Sequence, residues 1–202
     1  MIIGITGGTG CGKTTALSAI RQLGGTVLDC DAIYHGLLES DPALLAAIDT
    51  RFPGTVEQGN LQRKKLGQIV FSDKQALEDL NRITHSAVKD AVLHHLDKCD
   101  GLVAIDAIAL FESGLDKLCK LTVAITAPEE DRVTRLMARD NIPESYARQR
   151  IAAQPSQEEF IRRCDHHLHN DGSQEAFLCK CLAFFKDLAI IEEKPQRRRT
   201  YD

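Results

Sequence analysis

Gly7-Gly8-Thr9-Gly10-Cys11-Gly12-Lys13-Thr14 follows directly on the apolar run Ile2-Ile3-Gly4-Ile5-Thr6, and its reading decides the fold. A glycine, four residues and then Gly-Lys-Thr, set between a strand and a helix, is the pattern of a loop that wraps phosphates. Glycines let successive backbone N–H groups turn inward as a nest for anions, and the helix that starts near Lys13 adds its positive dipole end. Gly8, Thr9, Gly10, Cys11, Gly12, Lys13, Thr14 and Thr15 are the expected nucleotide-binding set. Lys13, solvent-facing until nucleotide arrives, should reach the β- and γ-phosphates of ATP. Thr14 should offer its hydroxyl to Mg²⁺, a small hard cation that takes oxygen ligands. A glycine-rich turn that carries Lys-Thr by coincidence is the alternative, and the strand–loop–helix setting argues against it.

Beyond the loop, Thr15 to Leu23 reads as a helix closed by Gly24-Gly25, and Thr26-Val27-Leu28-Asp29 as a second strand. Residues 102–106, 121–126 and, more weakly, 166–170 are further strands, with helix-length segments between them. That alternation predicts an α/β fold with a five-stranded parallel sheet covered on both faces. Ile33 to Leu96 is patterned as helix, broken at Asp41-Pro42, Pro53-Gly54 and Gln58-Gly59-Asn60, and reads as an insertion. The expected organisation is a nucleotide-binding core over 1–33, 98–134 and 163–202, a helical acceptor-binding insertion over 34–97, and a helical lid over 135–162.

The 202 residues, 43% hydrophobic and 27% charged, suit one core with insertions. A net charge of −4 argues against a broad nucleic-acid surface, and the Arg197-Arg198-Arg199 run reads as a solvated C-terminus. The N-terminus shows no targeting segment and no apolar run approaches a membrane span, so a cytoplasmic protein is expected, a monomer or weak homo-oligomer. Seven scattered cysteines without Cys-x-x-Cys spacing suggest reduced thiols, with Cys179 and Cys181 as packing residues. Cys11, beside a lysine and a helix start, is the one place where the sequence leaves room for raised thiolate character, and it reads as loop filling ahead of a redox role.

Ligands of such sheets sit beyond the carboxyl ends of the strands. Asp31, just past the second strand, can take a hydroxyl proton from an acceptor, and it can also cap the helix that begins near Ala32. Asp29 is ambiguous and is compatible with a structural role. Asp106 ends the third strand either as an acid that orients Mg²⁺ through water or as a simple strand-end group. Arg132, Arg135 and Arg139 share a helix face, followed by Arg148 and Arg150. They read as a lid that brings positive charge to a migrating phosphoryl group, or as a solvated face paired with Glu129, Glu130 and Asp131. His35, His85 and the run His166, His167, His169 suggest no metal site and read as structural.

With these elements assembled, the chain resembles the dephospho-coenzyme A kinase family of P-loop kinases. The resemblance rests on residues 4–14, Asp29-Cys30-Asp31-Ala32-Ile33, Leu61 to Leu66, Val70-Phe71, Leu110-Phe111-Glu112, Arg139-Asp140, Arg150 to Gln154 and Asn170-Asp171-Gly172. It implies a nucleoside-monophosphate-kinase-like fold and transfer of the ATP γ-phosphate to the ribose 3′-hydroxyl of dephospho-coenzyme A. It also implies Asp31 as base, Lys13 and Thr14 on phosphate and Mg²⁺, Arg139 as lid arginine, and Arg63, His85, Glu112 and Arg150 on the substrates. The chain departs from the family's pattern at Ser86, at Ile108-Ala109 and at Pro155. Another small-metabolite or nucleotide kinase of this architecture is the second reading, and a nucleotide-binding interaction module the third.

Overall fold

Five short runs form the central sheet, the inner three buried on both sides and the two edge strands partly exposed: β1 (Ile2–Thr6), β2 (Thr26–Asp29), β5 (Val103–Asp106), β6 (Leu121–Thr126) and β7 (His166–His169). All pair in parallel in the order β2-β5-β1-β6-β7. Ile3, Ile5, Val103, Ala104, Ile105, Val123, Ala124 and Ile125 are buried, which is why these strands read as unbroken apolar runs rather than alternating ones. Chain order reverses at β1, with β2 and β5 to one side and β6 and β7 to the other. A crevice therefore opens past its carboxyl end, where the phosphate loop begins.

The computed structural model describes residues 1–193, so the Arg197 to Arg199 run lies outside the described residues. Helices α1 (Lys13–Gln22), α2 (Cys30–Ser40), α3 (Pro42–Arg51), α4 (Arg63–Val70), α5 (Lys74–Leu96), α6 (Glu129–Asp140), α7 (Glu144–Ala152), α8 (Gln157–Arg163) and α9 (Gln174–Glu193) surround the sheet. Ala16, Ile20, Phe177, Cys181 and Phe185 from α1 and α9 cover one face. Val88 and Val92 from α5, with Leu110 and Leu115, cover the other. Each fully buried Leu, Ile or Phe contributes about 1.5–3 kcal/mol by leaving water.

The insertion has its own apolar centre of Leu44, Ile48, Phe52, Leu66 and Val70, so it holds its shape without leaning wholly on the sheet. The breaks expected near Gly54 and Gly59 are occupied by a two-residue antiparallel pair, β3 (Val56–Glu57) with β4 (Asn60–Leu61). Asp41 caps α3 by accepting from Ala43 N at 2.8 Å and Leu44 N at 3.1 Å, with Pro42 in the first turn. Gly24, at φ +81°, ends α1 as expected, and the Gly25 N–H returns to Ile20 O at 2.9 Å.

One open reading is decided and one expectation, Cys179 as a packing residue, is corrected. Asp29, not Asp31, caps α2, its Oδ1 accepting from Ala32 N at 3.0 Å. Cys179 is exposed while Cys181 is fully buried, because residues two apart on a helix face different ways. Helix α6 runs unbroken across position 135, and Val133 and Leu136 pack it on Ala147 and Ile151 of α7. Among the described residues, no helix is long and apolar enough to cross a membrane.

Candidate active site

The loop between β1 and α1 is pressed so closely against its surroundings that two of its glycines admit no side chain. At Gly7, φ +141°, a Cβ would stand 2.2 Å from the Ile125 carbonyl oxygen. At Gly12, φ +100°, it would meet Asn170 Nδ2 at 2.3 Å. The same Asn170 amide donates to Cys11 O at 3.0 Å, which ties the loop to the residue that follows β7. Lys13 Nζ is half-buried and donates to Gly7 O at 2.8 Å, so the lysine is folded back onto the loop rather than solvent-facing.

Gly8 through Thr14 line a cavity of about 460 Å³ together with Asp29, Asp31, Asp106, Arg135, Arg139, Arg150 and Gln154. Thr15 is not in its wall, because its N–H closes the first turn of α1 on Gly12 O at 3.0 Å. A second, more apolar cavity of about 220 Å³ lies alongside, lined by Cys30, Tyr34, Leu80, Thr84, His85 and Val88 among others. Asp31 and Ile108 belong to the walls of both. Arg63 stands further along the insertion, in a groove of about 220 Å³ that shares Tyr34 and Leu80 with the second cavity. Glu112 lines a separate depression with His85, and its carboxylate is taken by Arg163, whose guanidinium also lies 4.3 Å over the Phe111 ring.

Electrostatics sort the candidates. Burial pushes the Cys11 thiol up, against the pull of Lys13 and Arg132, so desolvation outweighs the nearby positive charge and favours the loop-filling reading over a reactive thiolate. Burial also lowers the proton affinity of the His85 imidazole, although Glu112 opposes that shift. Arg139 and Arg150 converge on Asp140, at 2.7 Å and 2.5 Å, and hold its carboxyl well below the usual carboxylate range. Arg148 is a solvated-face residue, paired with Glu129, Glu130 and Glu144. The histidine run is structural: Thr126 Oγ1 lies 3.0 Å from His167 Nε2 and 2.9 Å from His169 Nδ1, and His166 packs on Phe184.

Asp106 is different. Its Oδ1 is buried without a hydrogen-bond partner, and desolvation, with Asp29 and Asp31 nearby, raises its carboxyl to about 6 despite Lys13. For an acid raised in the fold, stability is fully present below the unfolded value and is lost as pH climbs through about 6. Asp106→Asn should therefore melt higher than the parent at pH 7.5, by an amount on the order of 2 kcal/mol in stability. The gap should close as pH falls below about 4, where the acid is neutral in both states. Equal melting curves across a pH 4–8 series would contradict the assignment.

Among the polar groups of the cavity, Thr14, Asp29, Asp31 and Asp106 offer oxygen atoms, the ligand type that suits Mg²⁺. Among the described residues no cluster of three or more His, Cys, Asp or Glu could hold a metal ion by itself.

Three side chains that bind the loop from elsewhere in the chain were not assigned to it from the sequence. Gln154 and Asn170 appeared only as parts of longer stretches, and Arg132 was grouped with the lid arginines. Arg132 is 3% exposed and lies on the face of α6 that also buries Leu136, four residues on. That spacing was the available signal.

A phosphate loop at the switch point of a parallel sheet, arginines from the helices beyond β6 facing it, and a second cavity across a shared aspartate define a P-loop kinase. The dephospho-CoA kinase family model matches residues 1–176. The chain belongs to that family. A dephospho-CoA kinase of Pseudoalteromonas translucida is 35% identical over 175 residues, 85% of this chain and 83% of the relative. A solved structure from Thermus thermophilus superposes with TM-score 0.78 at 33% identity, covering 93% of this chain and 97% of that one. A dephospho-CoA kinase from Campylobacter jejuni gives TM-score 0.69 at 27% identity, covering 95% and 98%.

Proposed function

We propose that the protein transfers the γ-phosphoryl group of ATP to the ribose 3′-hydroxyl of dephospho-coenzyme A, yielding coenzyme A and ADP, in the cytoplasm and as a monomer or weak homo-oligomer. The observation that carries this reading is the position of Asp31 in the walls of both cavities. ATP occupies the larger, polar cavity and the acceptor the smaller, apolar one, with the helical insertion over 34–97 forming the acceptor side. The Asp31 carboxylate accepts the hydroxyl proton as the oxygen attacks phosphorus. Lys13 leaves Gly7 O and follows the β- and γ-phosphates, and Thr14 contributes a hydroxyl to Mg²⁺. The ion, arriving with ATP, would neutralise charge on the phosphate oxygens. Arg63, His85 and Glu112 serve the acceptor, Glu112 from a position fixed by Arg163.

Arg139 and Arg150, released from Asp140 as residues 135–162 close, supply the charge that the transition state needs. Arg139→Ala should lower kcat by about tenfold or more with either KM changed by less than threefold. The reverse pattern would make Arg139 a substrate-binding residue instead. The reaction itself is tested by incubating the protein with Mg-ATP and dephospho-coenzyme A, adenosine, nucleoside monophosphates or shikimate. Dephospho-coenzyme A alone should accelerate ADP release, and preference for another acceptor would overturn the proposal.

A further inference from the structure

Thr9 stands at the tip of the phosphate loop, and the peptide groups before and after its Cα are each held by a side chain from much later in the chain. Its N–H donates to Gln154 Oε1 at 2.7 Å, and its carbonyl accepts from Arg132 Nε at 2.9 Å. Arg135 adds a bond from its guanidinium to Gly10 O at 3.2 Å. Gly8 and Gly10 make room for this contact: a Cβ would stand 2.4 Å from the Arg132 guanidinium at the first and 2.8 Å from the Arg132 carbonyl oxygen at the second. Pro155 disfavours helical backbone at the residue before it, so α7 ends there and the Gln154 side chain turns back toward the loop.

Burying a guanidinium costs free energy, and one terminal nitrogen of Arg132 has no hydrogen-bond partner. Stability alone does not explain a buried charge whose bond goes to a loop carbonyl. A loop whose amides must point at phosphate gains from having its peptide planes set in advance, because nothing then has to be reordered when the nucleotide arrives. We propose that Gln154 and Arg132 are positioning residues that hold the two peptide groups on either side of the Thr9 Cα, one by its N–H and the other by its carbonyl, and keep the tip of the phosphate loop ready for ATP. They act through the loop backbone and not on the reacting atoms.

The inference rests on the kinase reading only for its ATP arm. The other arm is amide hydrogen exchange at Thr9 in the nucleotide-free protein, which needs no substrate. Gln154→Ala should speed exchange of the Thr9 amide by about tenfold and raise KM for ATP by a similar factor, while KM for dephospho-coenzyme A stays within about twofold. Gln154→Glu keeps an acceptor at the amide: exchange should stay slow, while the added negative charge in the phosphate cavity weakens ATP. Arg132→Lys keeps the charge but loses the Nε bond, and should follow Gln154→Ala in both arms. If the alanine variant does not fold, the glutamate and lysine variants carry the same contrast. A merely structural role would make the alanine and glutamate variants alike and move both KM values together. Thr9 exchange in Gln154→Ala equal to that of the parent would overturn the proposal. Were the protein inactive as a kinase, the exchange arm would still read these contacts by itself.

Discussion

Asp31→Asn should lower kcat by about 10²–10⁴-fold while ATP affinity, read by calorimetry, changes by less than threefold. Asparagine keeps the size and polarity of the side chain but cannot accept the hydroxyl proton, so the loss should fall on the chemical step. Asp31 is free to do this because the capping of α2 is carried by Asp29. A substitution at position 31 therefore leaves the helix start intact, and the melting temperature should hold to within a few degrees. Unchanged turnover in a coupled ADP-release assay would remove Asp31 from the mechanism. A collapse in thermal stability would mean that its role is in the fold.

The second large effect is expected at Lys13. Lys13→Ala should cost about 10²–10³-fold in kcat/KM for ATP, the scale for removing one preorganised charge from a transition state that spreads negative charge over a migrating phosphoryl group. In the nucleotide-free protein the lysine is bound to Gly7 O, so the variant also loses one hydrogen bond. That loss is worth about 1 kcal/mol and should lower the melting temperature by about 2–4 °C. A much larger drop, with activity lost in proportion, would show that Lys13 is principally a brace for the loop.

What could be read from the chain beforehand follows from the range of each interaction. The loop and the four stronger strands were legible because buried parallel strands are continuous apolar runs, and the glycine spacing is local. Which of Asp29 and Asp31 caps α2 was not: both are good capping residues, and a helix start read from sequence is uncertain by a residue or two. The thiol chemistry of Cys11 stayed open for another reason. Its sequence neighbours show the positive charge but not the burial that prevails over it. The contacts from Gln154 and Asn170 to the loop span 145 and 159 residues, and no spacing rule announces them. His85 and Glu112 do fall near one another, but the Arg163 contact that engages Glu112 comes from α8, which no local pattern brings there.

Asp31 and Ile108 line both cavities, so in the proposed reaction donor and acceptor meet across the same two residues and the phosphoryl group passes between them in one displacement. A phosphoryl group that passes once, entering opposite its departing oxygen, leaves with its three remaining oxygens turned inside out like an umbrella in wind. An ATP made chiral at its terminal phosphorus with oxygen isotopes would thus deliver product of inverted handedness.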